Sequence, residues 1–403
     1  MASTLRGDLN AAIEEVAALY HERDVESRMI MTGILAGQHT LLLGPPGTGK
    51  SAIVREITSR ITSARYWEIL LSKFTAPSAI FGPVDVAALA QGTYRQVFDG
   101  HATTCEIAFV DEIFKCSSAA LNSMLSYLNE RVYHPEAGGA PIACPLVSAV
   151  CASNELGEDE ATAALYDRLL IRMEVDYLAK PDSFDRLLRS AVTRTNGTAS
   201  SRTTVELADL QIAITTEVPA VELPGSVISA LRDLRADLRQ REIISSDRRW
   251  KQAVRVLQAA AWLEGRDHIS VDDLAVLTHV LWDVPATKAT VAKVIRNYLG
   301  SDERRIADMT DEVDRIAAEL DKMLAVDGPG RDDRLQDWGV RANLELSKIG
   351  RRLRRALDDA RQAGRPTSSY QRAVDHAQHV YARLLSEALG VDEKAVPAVG
   401  GGH

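Results

Sequence analysis

Short apolar runs alternate with amphipathic stretches through the first 180 residues of the chain. Each run stops at glycine or at polar side chains, and a helical spacing of apolar residues follows it. This alternation is typical of strands joined by crossover helices, so it predicts an α/β domain with a parallel sheet. The predicted strands are Thr40–Leu43, Trp67–Leu71, Ile107–Val110, Val147–Cys151 and Ile171–Val175.

Helical spacing dominates the rest of the chain. Residues 181–285 form a helical region that is interrupted by the polar stretch TRTNGTASSRTT and by Pro219 and Pro224. From 286 to 395, apolar residues recur at alternating steps of three and four, and DGPGR and QAGRPTS separate three such segments. This pattern predicts an antiparallel three-helix bundle. Residues 396–403, which end in VGGGH, are predicted to form a flexible tail.

Composition narrows the class of protein. The 403 residues are 46% hydrophobic with a formal charge of -9, which favours a globular chain and disfavours a surface that wraps nucleic acid. The basic run SKIGRRLRRALDDARQAGR is interpreted as a solvated helix face, with a nucleic-acid or membrane contact as the alternative. The four cysteines lack metal-ligand spacing, which predicts reduced core thiols. Since no leader or membrane-spanning run is found, the sequence predicts a cytoplasmic protein.

The first predicted strand ends at a glycine-rich loop. There the sequence GPPGTGKS fits the pattern GxxxxGK[ST], and a helical stretch follows it. In this pattern backbone N–H groups surround nucleotide phosphates, the lysine neutralises the outer phosphates and the hydroxyl ligates Mg²⁺. An accidental glycine and proline turn is the alternative, but the strand before it and the helix after it favour nucleotide binding. The predicted binding residues are Gly44, Pro45, Pro46, Gly47, Thr48, Gly49, Lys50 and Ser51.

A second apolar strand ends in two carboxylates. In the segment EIAFVDEIF, Asp111 and Glu112 follow four apolar residues, and the carboxyl ends of parallel strands meet at one edge of a sheet. We therefore expect both side chains beside the phosphate loop. Asp111 is predicted to hold Mg²⁺ and Glu112 to polarise the attacking water. The alternative is a strand that simply ends in solvent.

A third predicted strand ends in an uncharged amide. The segment LVSAVCASNE places Asn154 at the same expected edge, where it could hydrogen-bond the attacking water or a terminal phosphate oxygen. Alternatively, Asn154 could cap the next helix. Together the three strand ends predict a site that binds and hydrolyses a nucleotide.

The order of these motifs resembles a known family. The segments GPPGTGKS, FVDEIFK, LNSMLSYLNER, ASNE and ALYDRLLIR are similar to the MoxR branch of the AAA+ ATPases, and most similar to its RavA group, over residues 10–285. The bundle at 286–395 is predicted from the helical spacing alone. The resemblance implies an AAA+ core at 1–180 and a helical lid at 181–285. It also implies ATP and Mg²⁺ as cofactors, and a homo-oligomeric ring of six copies with ATP at each interface.

The resemblance implies roles for further residues. The phosphate loop and the carboxylates match those of the family, and Asn154 matches the first sensor. Arg168 matches the arginine finger that reaches a neighbour's site, and Arg248 matches the second sensor on the lid. From the residues alone either arginine could be an ordinary surface cation, and the adjacent Arg249 competes with Arg248. Val25, within HERDVESR, lies where the family forms its base pocket.

Two projections and one departure complete the resemblance. The segment FTAPSAIFGPVDVAALAQGTYRQV resembles the insertion in the second core helix. The segment RVYHPEAGGAPIACPL resembles a hairpin, which the pair Gly138 and Gly139 also predicts, although both segments could be plain loops. RavA-like proteins carry a β-rich insertion in their C-terminal helical part. The short breaks here leave no room for it, so no partner that docks through it is predicted.

Three functions remain open on the sequence alone. The leading hypothesis is a chaperone-like ring ATPase that remodels or assembles a protein partner, together with a von Willebrand factor A (vWA) domain protein, as MoxR-type ATPases commonly do. A nucleic-acid motor is the second, although acidity and the lack of a DNA-reading module disfavour it. A nucleotide-gated scaffold is the third, and intact candidates for every catalytic role disfavour that.

Overall fold

The computed structural model describes most of the chain as two compact units. It describes residues 2–135, 138–157, 160–192, 202–325, 331–362, 367–392 and 396–400. Met1–Val294 make up the first unit and Ile295–His403 the second. Much of the polar stretch TRTNGTASSRTT lies outside the described residues.

A five-stranded parallel sheet forms the centre of the first unit. Its strand order is β3-β4-β7-β1-β8, and each pair of neighbours is parallel. The predicted sheet is confirmed, with strand ends shifted by one or two residues. The strands of the chain are β1 (Thr40–Leu43), β2 (Ile61–Thr62), β3 (Tyr66–Leu70), β4 (Ile107–Asp111), β5 (Val132–Tyr133), β6 (Ile142–Ala143), β7 (Ser148–Ser153), β8 (Ile171–Glu174) and β9 (Val205–Glu206).

The predicted α/β fold class with further helical parts is confirmed. Helices flank this sheet, and more helices follow its last strand along the chain. Those of the first unit are α1 (Ala2–Leu19), α2 (Asp24–Leu35), α3 (Lys50–Thr58), α4 (Pro77–Phe81), α5 (Val86–Ala90), α6 (Ser118–Glu130), α7 (Glu160–Arg168), α8 (Pro181–Val192), α9 (Leu207–Ile212), α10 (Val218–Ala220), α11 (Gly225–Gln240), α12 (Asp247–Leu263) and α13 (Pro285–Arg296), the last of which contains the division between the units. A 3₁₀ segment, Val271–His279, follows α12.

The parallel sheet has two chemically different edges. At the carboxyl edge the strands β1, β4 and β7 end next to the glycine-rich loop, the two carboxylates and Asn154. The amino edge is where these three strands begin, next to His39, Glu106 and Val147, and where β8 begins, next to Leu170. Since a strand rises about 3.3 Å per residue, roughly 10 Å or more of buried backbone separates the edges.

The sheet interior is apolar, as its strands require. Residues of β1 and β7 are buried along their whole length, which explains why both strands read as continuous apolar runs rather than alternating ones. The cysteines are free thiols, and Cys105, Cys144 and Cys151 are buried. Burial raises the pKa of Cys105 and of Cys144 to about 11, so both are protonated at neutral pH. The prediction of reduced core thiols is confirmed for these three cysteines, whereas Cys116 is only partly buried.

Both projections take on local structure. Strands β5 and β6 pair antiparallel around the Gly138 and Gly139 segment, so the hairpin is confirmed. The segment predicted as a helix insertion contains α4 and α5, and an antiparallel bridge between Val84 and Gln96 closes it. The side-chain amide of Gln96 donates to Gly82 O at 3.1 Å, which ties the base of this projection together.

Three long helices form the second unit. They are α14 (Ser301–Ala325), α15 (Arg331–Gln362) and α16 (Ser368–Arg383). Arg315 pairs with Glu345 and Arg352 with Glu312, so α14 and α15 run in opposite directions. Arg383 pairs with Asp321 and His376 with Asp314, so α16 runs parallel to α14.

A seam of apolar residues holds the bundle together. Met309, Val313, Leu346, Leu353 and Leu384 are among its fully enclosed members. The predicted three-helix bundle therefore forms with the predicted up-down-up direction. In the basic run on α15, Lys348, Arg351 and Arg355 are exposed, as a solvated face requires.

The end of the described chain packs against the bundle. Val399 is fully buried in the bundle core, and a Cβ at Gly350 of α15 would lie 2.5 Å from its Cγ2. Residues 396–400 therefore differ from the flexible tail that we predicted. The sequence hides this contact because two glycines and a single valine carry no periodic pattern. None of the described helices is long and apolar enough to cross a membrane.

Candidate nucleotide-binding site

The glycine-rich loop is held tightly to the carboxyl edge of the sheet. Gly44 N–H donates to Ser153 O of β7 at 3.1 Å. A Cβ at Gly44 would lie only 1.8 Å from Val175 O, just past β8. After the loop, Gly49 has φ of 84° and α3 begins at Lys50. The first N–H groups of a helix lack partners within the helix, so α3 presents donors to an anion at this point.

Gly44→Ala is expected to destabilise the protein. The added methyl group meets backbone rather than a flexible side chain, so the free energy of unfolding should fall by about 2 kcal/mol or more. Nucleotide binding should weaken as the loop shifts. Thermal unfolding and a titration with a fluorescent nucleotide measure the two effects. Gly7→Ala is the matched control, because Gly7 lies in α1 with open space around it and alanine favours a helix. Equal stability of the two variants would contradict the expectation.

The side chains predicted to bind phosphate, to hold the metal and to activate water form one continuous chain of contacts. Lys50 Nζ lies 3.3 Å from Asn154 Oδ1, and Asn154 Nδ2 donates to Glu112 Oε1 at 2.6 Å. Glu112 N–H donates to Asp111 Oδ1 at 2.9 Å, and Ser51 Oγ lies 3.5 Å from Asp111 Oδ2. These five residues come from three separate strand ends, and the fold brings all of them together.

Glu112 occupies a special backbone position in this chain of contacts. Its φ of 55° is left-handed, which is uncommon for a residue with a side chain. The turn lets Asp111 and Glu112 point to different partners although they are adjacent. Lys115 lies 3.2 Å from Glu112 Oε2, while Asn154 holds the other oxygen. The carboxylate is therefore fixed by two groups at the edge where a nucleotide would end.

Lys50 is satisfied by the loop itself. Its ammonium group donates to Gly44 O at 2.6 Å and to Pro45 O at 2.8 Å. Burial lowers the pKa of Lys50, while the carboxylates of Asp111 and Glu112 oppose that shift. The ammonium group thus lies between the loop and the carboxylates, where the outer phosphates of a nucleotide would need a cation.

Three further residues hold the glycine-rich loop in place. Arg23 is buried, and its guanidinium donates to Thr48 O at 3.3 Å and also to Asp176 O. Tyr177 O–H donates to Pro46 O at 3.3 Å. Glu22 accepts hydrogen bonds from the N–H groups of Ala179 and Lys180, both at 2.9 Å. These contacts tie the start of α2 and the segment after β8 to the loop. Glu22 and Arg23 lie within HERDVESR, where the sequence predicts a base pocket rather than contacts with the loop, and no motif includes Tyr177.

Val25 is the least defined of the predicted site residues. It lies in the first turn of α2, next to Arg23 and Asp24, and its side chain is 51% exposed. A cavity of about 370 Å³ beside the loop is lined by Leu43, Gly44, Pro45, Asn154, Glu155, Leu156, Glu174, Val175, Asp176 and Pro285. Val25 is not among these described lining residues, so its contact with a base remains a prediction.

Arg168, the predicted arginine finger, and Arg248, the predicted second sensor, lie at the amino edge of the sheet. Arg168 ends α7, three residues before β8 begins, and its guanidinium folds back to Ala164 O at 3.3 Å. Arg248 of α12 donates to Asn129 Oδ1 near the end of α6. Burial and then the charge of Arg168 lower the pKa of Arg248, so the two cations are neighbours. Among the described residues, no hydrogen bond or ion pair joins either arginine to the glycine-rich loop.

Arg249 is separated from Arg248 by burial. It is 2% exposed, and its guanidinium donates to Val280 O at 2.7 Å and to Leu170 O at 3.3 Å. A guanidinium committed to carbonyl groups inside the protein is not available to a nucleotide. Of the two adjacent arginines, only Arg248 is partly exposed.

Comparison with known proteins shows the family of the chain. Residues 7–214 match the family model described as the MoxR domain in the MoxR-vWA-beta-propeller ternary systems. The chain belongs to the MoxR family of AAA+ ATPases. Residues 226–295 of this MoxR chain match an AAA lid domain. The match to the MoxR domain covers both the glycine-rich loop and Arg168, and the lid match covers Arg248.

Individual relatives are similar to this MoxR chain over different lengths. An uncharacterised protein of Methanocaldococcus jannaschii is 33% identical over 76% of this chain and 78% of its own length. The chaperone MoxR1 of Mycobacterium tuberculosis is 26% identical over 46% of this chain and 48% of its own length. A crystal structure of a candidate ATPase from Cytophaga hutchinsonii has a TM-score of 0.59 at 17% identity, over 74% of this chain and 96% of that one. The last likeness supports the fold alone.

Proposed function

We propose that this MoxR protein is a RavA-like, Mg²⁺-dependent ATPase whose copies assemble into a ring that remodels or assembles a protein partner. One observation carries the proposal: the loop, carboxylates and Asn154 lie at one edge of the sheet, whereas Arg168 and Arg248 lie at the other. Among the described residues, no hydrogen bond or ion pair joins the two groups within one copy, which supports a site that is shared between copies.

Binding is assigned to the loop and to two oxygen ligands. Ser51 Oγ and the carboxylate of Asp111 are hard oxygen donors 3.5 Å apart, which fits a cation that keeps several waters and takes few protein ligands. When bound, Mg²⁺ would neutralise charge that develops on the phosphate oxygens. Lys50 would exchange the carbonyl groups of Gly44 and Pro45 for phosphate oxygens.

Water activation is assigned to the pair of Glu112 and Asn154. The carboxylate of Glu112 can accept a proton from the attacking water, and the amide of Asn154 holds that carboxylate in place at 2.6 Å. Asn154 also contacts Lys50, so one amide side chain links the cation to the base. These contacts favour hydrolysis over a scaffold that only binds a nucleotide.

Completion of the site is assigned to a second copy. Arg168 is a quarter exposed and Arg248 is partly exposed at the amino edge, and a guanidinium placed against the γ-phosphate favours phosphoryl transfer. If the amino edge of one copy meets the carboxyl edge of the next, every site receives its cations from a neighbour. Six copies, as in related AAA+ rings, would close such an arrangement.

The domain plan and partner follow from the family. We propose that residues 1–180 form the core, 181–285 the lid and 286–395 a bundle that is free for partner contact. The family model concerns systems in which MoxR proteins act with vWA proteins, which supports a vWA-domain partner for this chain. Its acidity, at a formal charge of -9, is consistent with a protein rather than a nucleic-acid substrate.

ATPase activity measured against protein concentration tests the ring proposal. The rate per chain should rise steeply over the concentration range in which sedimentation shows assembly, because the isolated copy lacks its neighbour's cations. A rate per chain that stays constant down to a monomeric sample would contradict the proposal. Strong stimulation by DNA at physiological salt would instead favour a nucleic-acid motor.

A further inference from the structure

A buried network connects the lid to the helix that carries Arg168. Arg172 is 1% exposed, and its guanidinium carbon lies 3.6 Å from the centre of the Tyr166 ring. The same guanidinium donates to Tyr166 O at 3.1 Å and to Asp283 Oδ1 at 2.7 Å. Tyr166 O–H in turn donates to Asp283 O at 2.5 Å. The last turn of α7 is therefore fastened to the chain segment just before α13.

Arg249 makes a second connection from the lid to the same turn. Besides its contacts with Val280 O and Leu170 O, its Nη2 lies 3.5 Å from Asp167 Oδ1. Burial lowers the pKa of Arg249 to about 10, and Asp283 and Asp167 oppose that shift, so the group is charged at neutral pH. A buried guanidinium needs its partners, because an unpaired buried charge is costly.

Asp167 contacts both the buried Arg249 and the partly exposed Arg168. Its Oδ1 faces Arg249 at 3.5 Å, and its Oδ2 faces Arg168 Nη1 at 3.6 Å. One carboxylate thus joins a guanidinium that belongs to α12 with a guanidinium that we assign to the neighbour's site. Without the Asp167 carboxylate, Ala164 O would be the remaining partner of Arg168 among the described residues.

We propose that Asp167 and Arg249 are positioning residues through which the lid sets the direction of Arg168. The inference rests on the proposed function, since it assumes that Arg168 acts in the site of the next copy. When the lid of one copy moves, α12 moves Arg249, Asp167 follows it, and Arg168 changes its approach to the neighbouring nucleotide. Each lid would then control its neighbour's turnover as well as its own binding cleft.

Asp167→Asn is the direct test. Asparagine keeps the size of the side chain but removes the charge that faces both guanidinium groups. Turnover at saturating ATP is expected to fall about 10- to 100-fold, as for a catalytic group displaced by about 1 Å, with KM for ATP little changed. Asp247→Asn is the matched control, because Asp247 also pairs with an arginine of the lid, Arg235 at 2.5 Å, but is 86% exposed there. That variant should keep its turnover.

Mixed assemblies separate positioning from general damage. Asp167→Asn copies would be co-expressed with Glu112→Gln copies and purified through a different tag on each. An Asp167→Asn copy keeps its own base and can receive a correctly held Arg168 from a Glu112→Gln neighbour. Turnover above that of either variant alone is therefore expected. No recovery would overturn the inference, because the defect would then lie within the hydrolysing copy.

The same mixture made with Arg168→Ala distinguishes the two levels of the proposal. If Arg168→Ala recovers activity with Glu112→Gln and Asp167→Asn does not, the neighbour's arginine stands and the positioning role fails. If neither recovers, the proposed function fails.

As a second variant, Arg249→Lys keeps a buried charge but shortens its reach, and we expect its loss of turnover to be non-additive with that of Asp167→Asn. Additive losses would also overturn the inference.

Discussion

Arg168→Ala is expected to lower ATP turnover about 1,000-fold while leaving ATP affinity nearly unchanged. Its guanidinium stands at the amino edge of the sheet, where it would stabilise charge in the transition state of a neighbour rather than bind the ground state. Steady-state hydrolysis at a protein concentration that gives full assembly measures the first quantity. Titration with a fluorescent ATP analogue measures the second.

Two controls make that expectation specific. Arg232→Ala removes an exposed arginine from α11 and should leave turnover within a factor of about two, as surface substitutions usually do. Assemblies that mix Arg168→Ala with Glu112→Gln copies should regain activity, because some sites then combine an intact base with an intact arginine. Normal turnover by Arg168→Ala, or a failure of the mixture to recover, would show that Arg168 does not act between copies.

Glu112→Gln is expected to lower turnover by about 100- to 10,000-fold with ATP still bound. Glutamine is nearly isosteric and can keep the contact with Asn154, but it cannot accept a proton from water.

Lys50→Met should behave differently, because it removes the cation that lies between the loop and the carboxylates. It should weaken nucleotide binding itself.

Single-turnover hydrolysis together with nucleotide titration separates these two variants. Glu14→Gln, an exposed substitution on α1, serves as the control for the loss of one carboxylate and should behave like the wild type. If Glu112→Gln hydrolyses ATP at the wild-type rate, the base must be another group. If Lys50→Met binds ATP normally, the phosphates do not lie where the loop predicts.

The sequence was informative wherever function depends on a short local pattern. Apolar runs that stop at glycine or at a carboxylate predicted the sheet, the loop and the carboxyl edge, because strands buried on both faces need continuous apolar residues. Apolar residues at alternating steps of three and four predicted the bundle, because this spacing places them on one face of each helix. The chain of contacts from Lys50 to Asp111 follows from this, since parallel strands must end together.

The remaining features depend on contacts between distant parts of the chain. Arg23 meets Asp176 across more than a hundred residues, and nothing in the sequence near either residue announces that contact. Arg248 and Arg249 are adjacent and identical in type, so only burial distinguishes them. Val399 lies in a glycine-rich segment that predicts a loose end, yet a glycine on α15 leaves room for it.

The nucleotide-binding residues and the arginines Arg168 and Arg248 lie on opposite margins of one sheet, and this restricts the symmetry of the proposed assembly. In that assembly, the arginine margin of one copy contacts the nucleotide margin of the next. Such a contact is heterologous, because the two surfaces that meet are different. No two-fold axis can therefore relate two adjacent copies across it. Each added copy is rotated in the same sense relative to the one before it, until the last copy contacts the first and closes a ring. A dimer formed by one such contact would leave the arginine margin of one copy and the nucleotide margin of the other uncovered. A closed ring with no two-fold axis perpendicular to its rotation axis is therefore the symmetry that we expect of the proposed contact.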